Sequence, residues 1–252
     1  MPIRAIVFDL FDTLVDLRFE DLPTLEHAGR RLPASSRLIH AALLESAEVD
    51  FDTFNEAMLA GARAFRESHF SQHREVTTFE RFTDVLARVG VADVELAERM
   101  TQIHMAALRA VVRIPTHHGP LLDSLRGRVR TGLCSNFSHS PTAQEILAVS
   151  ELAERLDAIV VSDALGVRKP HPRIFEAVMS RLEVGPDEVL HVGDSLRADI
   201  GGAAPLGIRT AWITRRIPDS KRALREHDGP TPDHVIADIA EIDALLDGLA
   251  RV

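Results

Sequence analysis

The sequence contains few of several residue types that carry chemistry. Its 252 residues include one cysteine, Cys134, no tyrosine, and two lysines, Lys169 and Lys221. A single cysteine excludes a disulfide within the chain and is typical of a reducing compartment. Because all the other basic residues are arginine, the position of each lysine is informative.

Long apolar runs and basic clusters are also absent from the sequence. No apolar stretch approaches the ~20 residues that a membrane-spanning helix needs. The net charge of −9, from 29 basic and 38 acidic residues, is spread along the chain without a basic block, which argues against nucleic acid as a partner. These absences predict a cytoplasmic protein without a signal peptide that binds neither membranes nor nucleic acid.

Two hydrophobic patterns divide the chain near Pro115. After it, short apolar segments alternate with amphipathic ones, which is typical of a parallel sheet with helices on both faces. The preceding block has apolar residues at three- and four-residue spacing, which predicts helices without strands. Since the first strand has no neighbouring helix, we expect it to join the later sheet. The sequence therefore predicts an α/β core of residues 1–15 and 116–252 and an inserted all-α cap of residues 16–115.

The same patterns place the individual elements. Strands after the first are predicted at residues 129–134, 158–161, 189–192, 210–213 and 234–237. Helices of the core are predicted near 117–126, 140–149, 171–182, 197–206 and 238–249. Helices of the cap are predicted at 35–46, 51–68, 77–89 and 94–112.

The most informative motif is a carboxylate at the end of the first predicted strand. Asp9 follows the apolar residues 5–8, which have the character of a buried parallel strand. Open α/β sheets bind ligands at the carboxyl ends of their strands. An aspartate in this place is a candidate covalent nucleophile, because its carboxylate can carry a phosphoryl or alkyl group as an ester.

Hydroxyl, amide and ammonium groups follow two later strands. Ser135 and Asn136 come at the end of the strand at 129–134, where a hydroxyl can donate to a phosphoryl oxygen. Lys169 stands directly before Pro170, and a cation there can neutralise charge on a nucleophile and an anionic substrate.

Two further carboxylates follow the strand at 189–192. Gly193 lets the backbone turn sharply, so that Asp194 lies at the strand end, and Asp199 comes five residues later. If both converge on Asp9, they form an oxygen-rich site suited to Mg²⁺.

In this order the motifs resemble those of the haloacid dehalogenase superfamily of hydrolases, and the resemblance covers the whole chain. Residues 9–13 are similar to its first motif, Ser135 to the second, Lys169 with Pro170 to the third, and residues 193–199 to the fourth. The resemblance implies a Rossmann-like core. The helical insertion resembles the α-helical C1-type cap of subfamily I.

The resemblance also implies catalytic roles. Asp9 would be the nucleophile, Thr13 would hold its loop, and Ser135 and Lys169 would bind the transferring group. The predicted substrate-binding residues are Phe11, Ser135, Asn136 and Lys169. An ester on Asp9 would form first and would then be hydrolysed by water.

The cofactor implied by the resemblance is Mg²⁺. Its predicted ligands are Asp9, the backbone carbonyl of Phe11, and Asp194, with Asp199 supporting them. The implied partner is a small anionic substrate, and the protein is expected to be a monomer or a homodimer.

Phe11 departs from the phosphatase pattern. Phosphatases of the superfamily carry at this position an aspartate that acts as general acid and then as base, which typically contributes roughly 10²–10⁴ in rate. Asp12 comes one residue later; a local shift of the loop could bring it into the place of that acid, but we expect it to form a turn. Haloacid dehalogenases carry an aromatic residue here, and a halide needs no proton to leave.

Three functions stay open on the sequence alone. The favoured one is Mg²⁺-dependent hydrolysis of a small phosphate ester, which depends on Asp194 and Asp199. The alternatives are a metal-independent 2-haloacid dehalogenase, favoured by Phe11 and Asn136, and a catalytically silent relative used as a binding module.

The remaining features have simpler interpretations. We expect His117 and His118, near a helix start, to be a surface pair rather than a metal site, and Trp212 to lie in the core. The candidates for selecting the substrate from the cap are Phe19, Glu20, Arg30 and Arg31.

Overall fold

The structure, a computed structural model, describes residues 2–249. The strands are β1 Ala5–Phe8, β2 Asp16–Leu17, β3 Thr24–His27, β4 Arg30–Pro33, β5 Val112–Arg113, β6 Arg130–Ser135, β7 Ala158–Val161, β8 Val189–Gly193, β9 Arg209–Ile213 and β10 His234–Ile236. The helices are α1 Ser35–Leu44, α2 Phe51–Ser68, α3 Thr78–Arg88, α4 Val94–Ala110, α5 His118–Leu125, α6 Ser140–Val149, α7 Ser162–Leu165, α8 Pro172–Leu182, α9 Gly201–Ala203, α10 Ser220–Glu226 and α11 Ile242–Leu249.

The chain forms two compact units. The first comprises Met1–Asp16 and Arg113–Val252, and the second comprises Leu17–Val112. No helix among residues 2–249 combines the length and the apolar character that crossing a membrane requires.

The first unit contains a six-stranded sheet in the order β10-β9-β8-β1-β6-β7. All five strand pairings are parallel, so the predicted α/β fold with a parallel sheet is confirmed. The five strands of this sheet other than β1 begin and end within one residue of their predictions. β1 lies in the middle and is buried along its whole length, because neighbouring strands cover both edges and helices cover the faces.

Helix α8 shows how the sheet is covered. It begins with Pro172 and buries one apolar face against the sheet. The face consists of Ile174, Phe175, Val178, Met179 and Leu182. Their spacing is that of a single helical stripe, which explains why the periodicity predicted this helix.

The segment predicted as a helix at 197–206 is helical throughout, but its geometry is irregular. A π-helical turn at Leu196–Ile200 leads into α9, and a 3₁₀ turn at Ala204–Leu206 follows. Two adjacent glycines and a proline weaken regular helix here. Gly202 permits a close approach, since a Cβ at this position would lie 2.6 Å from the Phe175 ring.

The second unit contains α1–α4, which pack around a core of Leu43, Phe54, Phe82, Leu86, Leu96 and Met100. These helices match their predictions to within two residues. Side-chain caps fix three of the helix starts: Asp50 accepts from Thr53 N–H, Thr77 forms a capping box with Glu80, and Asp93 caps α4.

The expectation that this block contains no strands is wrong. β3 and β4 form an antiparallel hairpin in which Thr24 pairs with Pro33 and His27 with Arg30. The turn between them is Ala28-Gly29, and both residues have positive φ, 49° and 72°. A two-residue turn of this kind matches the twist of a hairpin, and the exposure alternates along β3. The sequence signal was Gly29 after an alternating segment.

Acid is expected to destabilise the second unit through His104 in α4. Burial, with a smaller contribution from the charge of Arg81, lowers the pKa of His104 to about 4. The unfolded chain accepts the proton near pH 6.5, so the stability due to neutral His104 is complete above that pH and is lost as the pH falls towards 4. We expect His104→Gln to remove about 2 kcal/mol of this acid loss, measured by urea unfolding at pH 7 and pH 4.5. Equal acid losses in both proteins would contradict this.

Candidate active site

The sheet register brings the sequence-predicted residues to one edge. Phe8, the last residue of β1, is level with Leu133 of β6 and Val192 of β8. By the same register Asp9 is level with Cys134 of β6 and Gly193 of β8, and Ser135 ends β6 one residue further on. This edge is the carboxyl end of the parallel sheet, where such folds bind ligands.

Lys169 joins two of the carboxylates at this edge. Its Nζ donates to Asp9 Oδ1 at 2.7 Å and to Asp199 Oδ1 at 2.6 Å. The lysine is only 3% exposed, and such a buried charge requires paired partners. Burial alone would lower the pKa of Lys169, but the carboxylates of Asp199 and Asp9 outweigh it and raise the pKa. Lys169 is therefore a fixed cation rather than a proton donor.

Asp199 is held from three sides. Besides Lys169, His191 Nε2 donates to its Oδ1 at 2.9 Å and the Ser195 N–H donates to its Oδ2 at 3.0 Å. Burial would raise the pKa of Asp199, but Lys169 and the hydrogen bond from His191 hold it below the usual range. Gly193 is required because a Cβ there would lie 2.2 Å from Asp199 Cγ. Asp199 thus orients Lys169.

Asp194 carries the signature of a cation site. Its carboxylate lies in a cluster with Asp9 and Asp199, whose ligand oxygens are all within 4.8 Å of one another. Burial, reinforced by the charges of Asp9 and Asp199, raises the pKa of Asp194 to about 8, and burial likewise raises the pKa of Asp9. Three carboxylates against one lysine leave a net charge of about −2 when all are ionised, which a divalent cation would balance.

Two buried hydroxyls in the predicted site lack hydrogen-bond partners. Thr13 Oγ1 and Ser135 Oγ are both enclosed and unpaired within the described chain. An unsatisfied buried hydroxyl costs about 1–3 kcal/mol. Such orphaned donors next to a nucleophile candidate are therefore available to a ligand.

Asn136 makes a contact that the sequence did not predict. Its Nδ2 donates to the Lys169 carbonyl at 2.9 Å, and its Oδ1 accepts from the Lys169 N–H at 2.7 Å. The amide thus holds the lysine backbone directly before Pro170. Its predicted contact with substrate stays a prediction.

Trp212 is buried, as predicted, but it also has a role that the sequence analysis missed. Its indole Nε1 donates to the backbone carbonyl of Asp194 at 2.7 Å. A buried indole usually requires an acceptor. The sequence feature that could have predicted this contact is a tryptophan in the strand next to β8. This hydrogen bond anchors the turn that presents Asp194.

Phe11 and Asp12 have different environments. The Phe11 ring packs edge-on against Phe137 with centroids 4.9 Å apart. Asp12 has a positive φ of 56°, and its N–H donates to the Val15 carbonyl at 2.6 Å. Its carboxylate pairs with Arg216 at 3.3 Å. The expected turn role of Asp12 is confirmed.

The prediction that His117 and His118 form a surface pair is wrong for His118. This residue is fully buried, and its Nδ1 lies 2.8 Å from the Leu14 carbonyl. His118 is on the buried face of α5 together with Leu121, Leu122 and Leu125. That spacing was visible in the sequence, but the histidine was assigned to the surface because of its polarity.

The predicted specificity residues lie in the second unit. Phe19 and Glu20 belong to a 3₁₀ turn, Phe19–Asp21, and Phe19 is 59% exposed. Arg30 and Arg31 lie on β4, where Arg31 Nε donates to Thr24 Oγ1. Their role in selecting a substrate stays a prediction.

Comparison with known proteins identifies the family. The family model of the haloacid dehalogenase-like hydrolases matches residues 3–207. This span includes β1–β8 and the acidic cluster of Asp9, Asp194 and Asp199. The chain belongs to the haloacid dehalogenase-like hydrolase family.

The similar proteins include named phosphatases and a named dehalogenase. Glyceraldehyde 3-phosphate phosphatase of Pyrococcus furiosus is 29% identical over 216 residues, 84% of this chain and 80% of that protein. Phosphoserine phosphatase of Thermus thermophilus is 25% identical over 95% of this chain and 97% of that protein. The crystal structure of a 2-haloacid dehalogenase from Pseudomonas syringae shares the fold, with a TM-score of 0.66 at 21% identity over 98% of this chain and 99% of that chain.

Proposed function

We propose that this protein is a Mg²⁺-dependent phosphatase of small phosphate monoesters that acts through an aspartyl-phosphate on Asp9. The observation that carries the proposal is the buried cluster in which Lys169 contacts Asp9 and Asp199 while Asp194 lies within reach of both. The names of the relatives from Pyrococcus furiosus and Thermus thermophilus support a small phosphorylated metabolite as the substrate.

The residues present fit a hard divalent cation. Asp9 and Asp194 would hold Mg²⁺ together with the backbone carbonyl of Phe11, and Asp199 would support them. Asp199 is a supporting residue in this proposal because Lys169, His191 and the Ser195 N–H already occupy its oxygens. Bound Mg²⁺ would supply charge neutralisation between carboxylate and phosphate oxygens.

The chain's own residues would then perform two substitutions at phosphorus. An Asp9 carboxylate oxygen attacks the phosphorus, the bond to the leaving oxygen breaks, and that oxygen departs with the electron pair. Lys169 and the hydroxyls of Thr13 and Ser135 would stabilise the phosphoryl oxygens, because Lys169 contacts Asp9 and both hydroxyls are buried donors without a partner among the described residues. Water then attacks the phosphorus of the ester, which releases phosphate and restores Asp9.

Phe11 limits both substitutions. The residue cannot protonate the leaving oxygen in the first and cannot take a proton from water in the second. We therefore propose that the enzyme favours esters with good leaving groups and that hydrolysis of the aspartyl-phosphate is the slower step.

A specific observation favours dehalogenation as the second candidate. The ring of Phe11, two residues after Asp9, packs on Phe137, so this position is apolar, and an alkyl halide needs no acid. The clustering of Asp194 with Asp9 and Asp199 argues for the phosphatase, because a third carboxylate without a cation has no evident use in dehalogenation.

The test is turnover of p-nitrophenyl phosphate with Mg²⁺ and with EDTA. We expect activity with Mg²⁺, at least about 100-fold loss in EDTA, and recovery when Mg²⁺ is restored. Glyceraldehyde 3-phosphate and phosphoserine would be assayed alongside. If no phosphate is released but halide is released from 2-chloropropionate, the protein is a dehalogenase instead. If neither substrate is turned over, the protein is a catalytically silent relative.

A further inference from the structure

A second cluster of metal-ligating groups lies in the first unit, apart from the acidic cluster. It consists of His117 and His118, where α5 begins, and Asp238, which follows β10. His117 Nε2 lies 2.8 Å from Asp238 Oδ1, and His118 Nε2 lies 4.0 Å from the same oxygen. The ligand atoms of all three residues lie within 4.8 Å of one another.

His118 supplies the observation that points to a ligand. Its Nδ1 lies 2.8 Å from the Leu14 carbonyl, and because a carbonyl only accepts, Nδ1 must carry the proton. The lone pair of a neutral His118 is therefore on Nε2. That nitrogen is fully buried and has no hydrogen-bond partner in the part of the chain that the structure describes. A backbone carbonyl that fixes the opposite nitrogen is the usual support of a metal-binding histidine.

The distances suit a tetrahedral ion. With metal–ligand bonds of about 2.0–2.1 Å, ligand atoms in a tetrahedron are separated by roughly 3.3–3.5 Å. The two measured separations, 2.8 Å and 4.0 Å, lie on either side of that value. An ion would replace the proton shared by His117 Nε2 and Asp238 Oδ1 and would be coordinated by the unpaired Nε2 of His118.

The charges around the cluster allow a divalent ion. Arg215 Nε lies 3.4 Å from Asp238 Oδ2 and so leaves Oδ1 on the histidine side. The guanidinium of Arg215 is itself neutralised by Asp16 at 3.0 Å. The local charge without an ion is about −1, contributed by Asp238.

We propose that His117, His118 and Asp238 bind a first-row transition metal ion, with Zn²⁺ as the best match. Two imidazole nitrogens and one carboxylate favour such an ion over Mg²⁺, which prefers oxygen ligands. The ion would cross-link the start of α5 to the segment after β10. Through His118 and Leu14 it would also support the loop that follows Asp9.

The test measures Zn²⁺ binding by isothermal titration calorimetry with Mg²⁺ in excess, and thermal unfolding with and without Zn²⁺. The variants are His117→Ala, at a half-exposed position, and Asp238→Asn, which preserves the capacity to cap the turn that follows. Fully buried His118 is left intact, because its replacement endangers folding. The control is His27→Ala, since His27 also pairs with a carboxylate, Asp52 at 2.5 Å, but belongs to none of the metal-ligating clusters of residues 2–249.

We expect the wild type and His27→Ala to bind one Zn²⁺ that both site variants bind at least about 100-fold more weakly. Zn²⁺ should raise the melting temperature by several degrees in the first two proteins only. Any Zn²⁺ bound by the acidic cluster would be bound equally by all four proteins, so it would not change the difference between the site variants and the other two proteins. Equal stoichiometry and affinity in all four proteins, or no binding at micromolar Zn²⁺, would overturn the proposal.

Discussion

Asp9→Asn is expected to abolish phosphate ester turnover, with a loss of at least about 10⁴-fold in kcat. The amide retains the size of the carboxylate and can still contact Lys169, but it lacks the nucleophilic oxygen that would form the ester. The loss should therefore be in kcat with p-nitrophenyl phosphate, while the fold is preserved. Circular dichroism and thermal unfolding would check that the variant folds.

The matched control for this variant is Asp12→Asn on the same loop. Asn tolerates the left-handed conformation that Asp12 adopts, and the substitution removes the carboxylate charge that pairs with Arg216. An exposed or half-exposed ion pair contributes about 1 kcal/mol or less, so we expect activity within a few-fold of the wild type. Retention of more than about 1% of activity in Asp9→Asn, or equal losses in both variants, would contradict the assignment of the nucleophile.

Phe11→Asp is expected to raise kcat for alkyl phosphates by about 100-fold. The new carboxyl group would stand where an acid can protonate the leaving oxygen and a base can take the proton of water, and such help typically contributes roughly 10²–10⁴ in rate. In kcat/KM, which reports the first substitution, the gain should be smaller for p-nitrophenyl phosphate, whose leaving group needs no protonation. The measurement is the ratio of kcat/KM values for an alkyl and an aryl phosphate in each protein.

Phe11→Leu is the control for the lost aromatic contact. Both substitutions remove the packing of Phe11 on Phe137, which should cost about 1 kcal/mol of unfolding free energy, but only the aspartate adds an acid. The gain is expected in Phe11→Asp alone. If the two variants had the same ratio of alkyl to aryl activity, missing acid–base help would not be what limits the enzyme.

The regular elements were predictable because their burial is periodic. Strands β1 and β7 are continuous apolar runs, and α8 shows an unbroken stripe, so that local sequence is sufficient to place them. The π-helical turn at Leu196–Ile200 was not predicted, because the two glycines and the proline that follow it indicate a weakened helix but do not specify its hydrogen-bond pattern. The hairpin of β3 and β4 was missed because a single glycine, Gly29, was the main signal for its turn.

The candidate site shows the same division. Its residue types, order and strand-end positions could be predicted, because parallel strands bring their carboxyl ends to one edge. The pairings could not, since each depends on atoms brought together by the fold: Asn136 on the Lys169 backbone, His191 on Asp199, and Trp212 on the Asp194 carbonyl. The raised pKa values of Asp9 and Asp194 and the lowered pKa of Asp199 depend on burial and on charges that the fold brings together, so they could not be predicted from the sequence.

The central claim, an ester on Asp9, is tested most directly by rapid-quench kinetics with p-nitrophenyl phosphate and Mg²⁺. Because Phe11 leaves the hydrolysis of the aspartyl-phosphate without a base, we expect a burst of nearly one p-nitrophenol per protein before slower steady turnover. Borohydride reduction of the quenched protein should convert the acyl phosphate at position 9 to homoserine, detected by mass spectrometry of the peptide. Steady turnover with no burst and an unmodified Asp9 peptide would contradict the account.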